Sequence, residues 1–118
     1  MTTSLNRVQL IGHLGADPEI RTTQKGHEVA SLRIATNESF LKDGEKQEHT
    51  EWHRVVIFGD GLITKVVKPY LGKGNRVFVE GSIRSNKYTD NEGVKRYSTD
   101  IVVQQLNLLD RKPTEDRK

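Results

Sequence analysis

The sequence predicts an all-β domain with one helix: a five-stranded barrel whose helix lies between the third and fourth strands. Three observations predict it. Apolar residues recur at every second position in several runs, the spacing of half-buried strands. Only one segment has apolar residues at helical spacing. The long strands are broken by single glycines, which lets them bend around a small closed barrel with no exposed edges.

With 118 residues, 33% of them hydrophobic, the chain is large enough for one domain with one modest core. That domain is expected over residues 1–110. Residues 111–118 are expected to be a charged, disordered C-terminal extension.

The elements follow in order. Leu5 to Leu14 carries Val8, Leu10 and Ile11 before Gly12 and reads as a strand with a bend. Gly15 to His27 holds Asp17-Pro18 and Lys25-Gly26 and reads as a loop or an irregular lead-in to a strand. From Val29 to Phe40, Ala30, Leu32, Ile34 and Thr36 fall on one side, and Ser31, Arg33 and Asn37 on the other. The charged stretch Leu41 to His49 contains Asp43-Gly44, a hairpin-turn pair. Thr50 to Phe58 returns, with Trp52, Arg54, Val56 and Phe58 on one face and His53, Val55 and Ile57 on the other.

Asp60 to Leu71 is the predicted helix. Asp60 is placed to cap it, and Leu62, Ile63, Val66, Val67 and Tyr70 form its apolar stripe. Pro69 limits its last turn, and Gly72 and Gly74 end it. Arg76 to Thr89 is a strand interrupted at Gly81, Asp90 to Gly93 a hairpin tip, and Val94 to Leu109 the return strand. This layout is that of the OB-fold, a barrel that often binds oligonucleotides. Fold alone does not assign function.

Composition narrows the chemistry. Nineteen Lys and Arg against sixteen Asp and Glu give a net charge of +3, which permits a polyanionic partner without requiring one. With no cysteine there is no disulfide, thiolate metal site or cysteine nucleophile. His13, His27, His49 and His53 lack paired ligand spacing, so neither metal nor cofactor is expected. Gly-x-Ser-x-Gly and the phosphate-binding Gly-x4-Gly-Lys-Ser/Thr loop are absent. An enzyme, such as a small nuclease, needs clustered carboxylates, and Asp60, Glu80 and Asp100 are far apart in sequence. The first residues lack an apolar signal core, and no run is long enough for a membrane helix. A soluble, non-enzymatic protein of the cytoplasm is expected.

Seven aromatic residues remain to be explained. Tyr70 on the helix stripe and Phe78 between Val77 and Val79 are expected in the core. Phe40 and Tyr88, flanked by charges, are expected to face solvent. Pattern leaves Trp52 and Phe58 between the two environments and does not decide Tyr97. Rings interleaved with cations suit single-stranded nucleic acid, whose bases stack while its phosphates meet the charges. Arg54, between Trp52 and Phe58 on one strand face, is the best-placed cation, since a charge there needs a ligand or partner. Arg84 and Lys87 follow, through the strand they share with Tyr88.

Asn6 to Gly15 followed by Asp17-Pro18-Glu19 resembles the opening of bacterial single-stranded-DNA-binding proteins. The Thr50-Glu51-Trp52-His53-Arg54-Val55-Val56-Ile57-Phe58-Gly59 block, Lys73-Gly74 with Val77 to Gly81, and Lys87 to Asp90 continue the match, from about Leu5 to Asp110. The resemblance implies an OB-fold that assembles as a homotetramer and wraps single-stranded DNA in replication, recombination and repair, associated with the nucleoid. It places base-stacking rings at Phe40, Trp52, Phe58 and Tyr88, and puts Arg54, Arg84, Lys87 and Arg96 near the DNA. The positions of Phe40 and Tyr88 are more often Trp in the family, so these smaller rings offer less stacking area. The family's flexible linker and acidic tip have no counterpart here, so tail-mediated recruitment of repair enzymes is not expected from this chain. The alternative function is a tail-less OB interaction module, of the kind found in primosomes, that acts mainly through protein partners.

Overall fold

A computed structural model describes residues 3–110. The expected extension at 111–118 lies outside the described residues. The strands are β1 (Val8–Leu14), β2 (Glu19–Thr22), β3 (Glu28–Lys42), β4 (Glu45–Phe58), β5 (Arg76–Thr89) and β6 (Lys95–Leu108). They pair in the order β1-β5-β6-β4-β3-β2, and β1 also pairs with β3 through His13–Ala35 and Leu14–Ile34. That last pairing closes a barrel of five strands, as the sequence predicts. The sixth, β2, is a short strand on the outer edge of β3, paired from Glu19–Ser31 to Thr22–Glu28. It lies in the stretch expected to be a loop or an irregular lead-in to a strand: four residues behind a proline carry too little alternation to decide between them.

The core follows the alternation. Ala30, Leu32 and Ile34 of β3, Val55 and Ile57 of β4, Val77 and Val79 of β5, and Ile101, Val103 and Leu106 of β6 are buried together. At ~1.5–3 kcal/mol for each large apolar side chain buried, this interior supplies the main drive to fold. The helical segment adds Ile63, Val67 and Leu71 to the same cluster.

The predicted helix exists but is not uniform. It runs as α1 (Asp60–Leu62), a π turn (Ile63–Val67) and α2 (Lys68–Tyr70), and the Lys68 N–H bonds the Ile63 carbonyl across the wider turn. Pro69 explains this, since it has no N–H for the carbonyl four residues back and its ring would crowd that group. Asp60 does not cap the helix; Gly59 holds the cap position with no side-chain bond. Instead, Asp60 Oδ1 accepts the Glu28 N–H at 3.0 Å. That bond is the main reason its carboxyl is held below the ordinary 3.8, even though its desolvation acts the other way.

The first hairpin is longer than the sequence indicates, and the second has the extent expected of it. β3 and β4 stay in register out to Lys42–Glu45, around a turn of only Asp43 and Gly44. Both turn residues have positive φ, 54° and 82°, the type I′ geometry that Asp-Gly favours because it matches strand twist. β5 and β6 pair out to Thr89–Lys95. The residues beyond Asn37 of β3 and Ser82 of β5 are solvent-exposed through their strand ends, so two ribbons project past the core. Among the described residues, no helix is long and apolar enough to cross a membrane.

Candidate nucleic-acid interface

Strand parity and register decide which side chains share a surface. Paired residues point to the same side of a sheet. Arg33 pairs with Arg54, Ala35 with Trp52 and Val29 with Phe58. Arg54 pairs in parallel with Asp100 of β6, and Asp100 with Arg84 of β5. Arg21 of β2 pairs with Val29. One continuous outer face therefore carries Trp52, Arg33, Arg54, Arg21, Phe58, Asp100 and Arg84. The same parity continues along the β5–β6 ribbon to Tyr88 and its partner Arg96.

Trp52 is 48% exposed and Phe58 55%, although Val55 and Ile57, between them on the strand, have none of their surface open. Two clefts of about 380 and 370 Å3 lie between these rings. Trp52 lines the first and Phe58 the second, and Arg21, Ser31 and Arg54 line both. They form one groove with a ring at either end and arginines in the middle. Open π-faces beside cations are what a flexible polyanion with flat bases binds, whatever its sequence.

The cations are held in different ways. Arg33 stacks its guanidinium 5.2 Å from the Trp52 ring centroid, a cation–π contact that keeps the charge beside the ring. Arg54 has the partner its position called for: its Nε lies 3.2 Å from Asp100 Oδ1. Asp100 is only 5% exposed. Its Oδ2 accepts Asn86 Nδ2 at 2.6 Å, while Oδ1 has the arginine's charge but no well-aligned hydrogen bond. Since Nε faces the buried carboxylate, the two terminal nitrogens of the Arg54 fork are left for a ligand. Arg96 donates to Asp90 Oδ2 at 2.9 Å. This bond, with the Val94 and Glu92 N–H groups, outweighs desolvation and holds the Asp90 carboxyl below its ordinary 3.8.

The structure separates some residues that the sequence groups together. Phe40 pairs with Gln47 and shares the parity of Ile34, so it stands on the opposite side of the β3–β4 ribbon from Trp52, half-exposed beyond the core. Lys87 pairs with Tyr97, away from Arg84 and Tyr88. Phe78 is not in the core: Val77 and Val79 point inward, while Phe78 lies between them on the outside opposite Ile11 and Asn107. Tyr70 is likewise half-buried and outside the core cluster. Arg21 and Arg33, which sequence reasoning did not single out, reach the groove through register, and no single-strand pattern shows that. Among the described residues no three His, Cys, Asp or Glu are grouped to hold a metal.

Gly15 sets the position of the Trp52 ring. A methyl group on Gly15 would overlap Trp52 Cζ3 and stand 2.6 Å from Cη2. The obstacle is a half-exposed side chain, so the ring swings aside rather than the barrel opening. Gly15→Ala is therefore expected to leave the melting temperature within a few degrees of wild type, shift the Trp52 emission, and weaken oligo(dT) binding about fivefold, the low end of one stacking contact. Unchanged emission and affinity would remove Gly15 from this role.

An OB barrel whose open face carries a ring-ended groove, lined by Arg21, Arg33 and Arg54 and at one end also by Asp17 and Glu19, has the form of a nucleic-acid-binding protein. The model of the single-strand binding protein family matches residues 5–109. The chain belongs to that family. It is 48% identical over 119 aligned residues to a single-stranded DNA-binding protein of Rickettsia felis, covering 95% of this chain and 77% of that one. It is 50% identical over 109 residues to the Rhizobium meliloti protein of the same description, covering 91% of this chain and 62% of that one. Among solved structures, the Plasmodium falciparum protein in complex with single-stranded DNA superposes with a TM-score of 0.83 at 34% identity, covering 93% of this chain and 99% of that one.

Proposed function

We propose that this protein binds single-stranded DNA without sequence preference, as a non-enzymatic protector of exposed strands in replication, recombination and repair. The observation that carries the reading is the groove in which Arg54, Arg33 and Arg21 lie between the half-open rings of Trp52 and Phe58. Family membership and the single-stranded-DNA complex of a 34% identical neighbour support it, and they favour it over a module acting mainly through protein partners. Bases stack on Trp52 and Phe58 in the groove and on Tyr88 and Phe40 on the two ribbons. Arg54, Arg84, Lys87 and Arg96 meet phosphates, joined by Arg21 and Arg33. The working unit is a homo-oligomer, a tetramer as the family resemblance implies. The outward Ile11–Phe78 pair on β1 and β5 gives an apolar patch for subunit contact. Its place in the cell is with the DNA, at the nucleoid.

Titration with oligo(dT) tests this. The chain has one tryptophan, so intrinsic emission reports on Trp52 alone. Binding is expected to quench it and to weaken as salt rises, with log K falling by ~0.7 per phosphate neutralised for each unit of log salt. Duplex DNA is expected to bind far more weakly, because paired bases keep their faces covered. Duplex binding as tight as single-strand binding, or oligo(dT) binding with no change in Trp52 emission, would overturn the stacking mechanism.

A further inference from the structure

The β5–β6 ribbon has a second side, and a ring stands on it. Tyr97 is 67% exposed, more open than any of the four proposed stacking rings. Lys87 Nζ lies 5.8 Å from its ring centroid. Lys95 is two residues away on the same strand and so on the same side, with Lys87 directly across from Tyr97. Lys87, Tyr88, Thr89, Lys95 and Tyr97 line a cleft of about 170 Å3, and none of the five is acidic. Tyr88, whose parity belongs to the groove side, thus meets Tyr97 and its lysines at the ribbon's edge.

We infer that Tyr97 and Lys95, beside the Lys87 already proposed to meet phosphate, form a further contact for single-stranded DNA, used by a strand that runs past Tyr88 and turns over the ribbon. The inference rests on the reading proposed above and extends its path. An exposed ring gains little for the fold, while its open face stacks a base. Two lysines beside it supply the charge that a phosphate chain requires and that an ordinary apolar subunit contact avoids at its centre. The opposite position of Phe40 on the other ribbon fits the same picture, in which the strand passes from one side of a ribbon to the other rather than staying in one plane.

The experiment compares wild type, Tyr97→Ala, Tyr97→Phe and Lys95→Gln on two lengths of oligo(dT). One is of about 8 nucleotides, within the roughly 4–16 an OB-fold covers, and one of about 30, beyond it. Tyr97→Ala is expected to lower affinity for the longer strand by about 5- to 100-fold, with a smaller loss on the shorter one. Tyr97→Phe keeps the π-face and restores wild-type affinity. Lys95→Gln lowers the salt slope on the longer strand by about 0.7. Trp52 quenching by the shorter strand shows that each variant is folded. Wild-type affinity of Tyr97→Ala on the longer strand overturns the inference and leaves the groove standing. So does a fall in mass by light scattering in Tyr97→Ala with unchanged binding per subunit, which assigns the ring to a second copy of the chain. Failure of wild type to bind either length overturns the parent reading as well.

Discussion

Removing both groove rings together, Trp52→Ala with Phe58→Ala, is expected to lower oligo(dT) affinity by roughly 30- to 20,000-fold, the sum of two contacts worth about 1–3 kcal/mol each. The two losses should add. The rings sit six residues apart on β4, about 20 Å at strand rise, too far to touch, and distant independent sites combine additively. Stability is expected to change by less than about 1 kcal/mol, because both rings are half-open and neither belongs to the core cluster. Isothermal titration beside a thermal melt reads both quantities. A double variant that melts as wild type does and binds as wild type does would remove stacking from the mechanism.

The same variant separates stacking from charge. Rings neutralise no phosphate, so the salt slope should survive while affinity drops at every salt concentration. A cation variant does the reverse: Arg54→Gln flattens the slope by about 0.7. Arg54→Gln also leaves Asp100 buried without its counter-charge, which costs stability. The melt must therefore be read beside the slope, and a slope unchanged in folded Arg54→Gln would take Arg54 off the phosphate path.

The barrel was legible because burial alternates along its strands. Ala30, Leu32 and Ile34 announce an inner face without help from any other segment, whereas parity puts Trp52, Arg54 and Phe58 on one face without deciding that it is the outer one, because both faces of that strand carry apolar residues. What depends on two strands at once was not legible. Arg33 joins Arg54 because the β3–β4 register sets them opposite each other. Asp100 neutralises Arg54 because β6 runs parallel to β4 at that point. Phe78 is a different case. Its outward position follows from the alternation of Val77 and Val79, a signal the sequence carries, and apolar neighbours alone led to the opposite expectation. Lys87 and Tyr88, adjacent in sequence, were grouped although adjacent strand residues point apart. The family resemblance named the proposed stacking positions, but the groove's arginines and the two-sidedness of the ribbons come from register.

Gly81→Ala is expected to destabilise the barrel by about 3 kcal/mol, the upper part of what overpacking normally costs, and to lower the melting temperature by roughly 10–20 °C. Gly81 sits where β5 shifts register against β6, between Glu80 and Gly81, and faces the interior. A methyl group there would overlap the Val102 carbonyl oxygen, stand 2.7 Å from its carbon and 3.1 Å from Val103 Cα. All three are backbone atoms of the paired strand, so no side chain can swing away, as Trp52 does for Gly15. The strands must part, and the bulge that bends β5 around the barrel is lost with them. Function should follow stability here. Arg84 and Tyr88 lie beyond the bulge on the same strand, and their aim toward the groove face depends on that bend. At a temperature where the variant remains folded, its oligo(dT) affinity is expected to fall as well, and a ligand that binds only the folded state should raise the melting temperature with DNA concentration. A variant melting within a few degrees of wild type would mean that the bulge yields more easily than its backbone contacts imply.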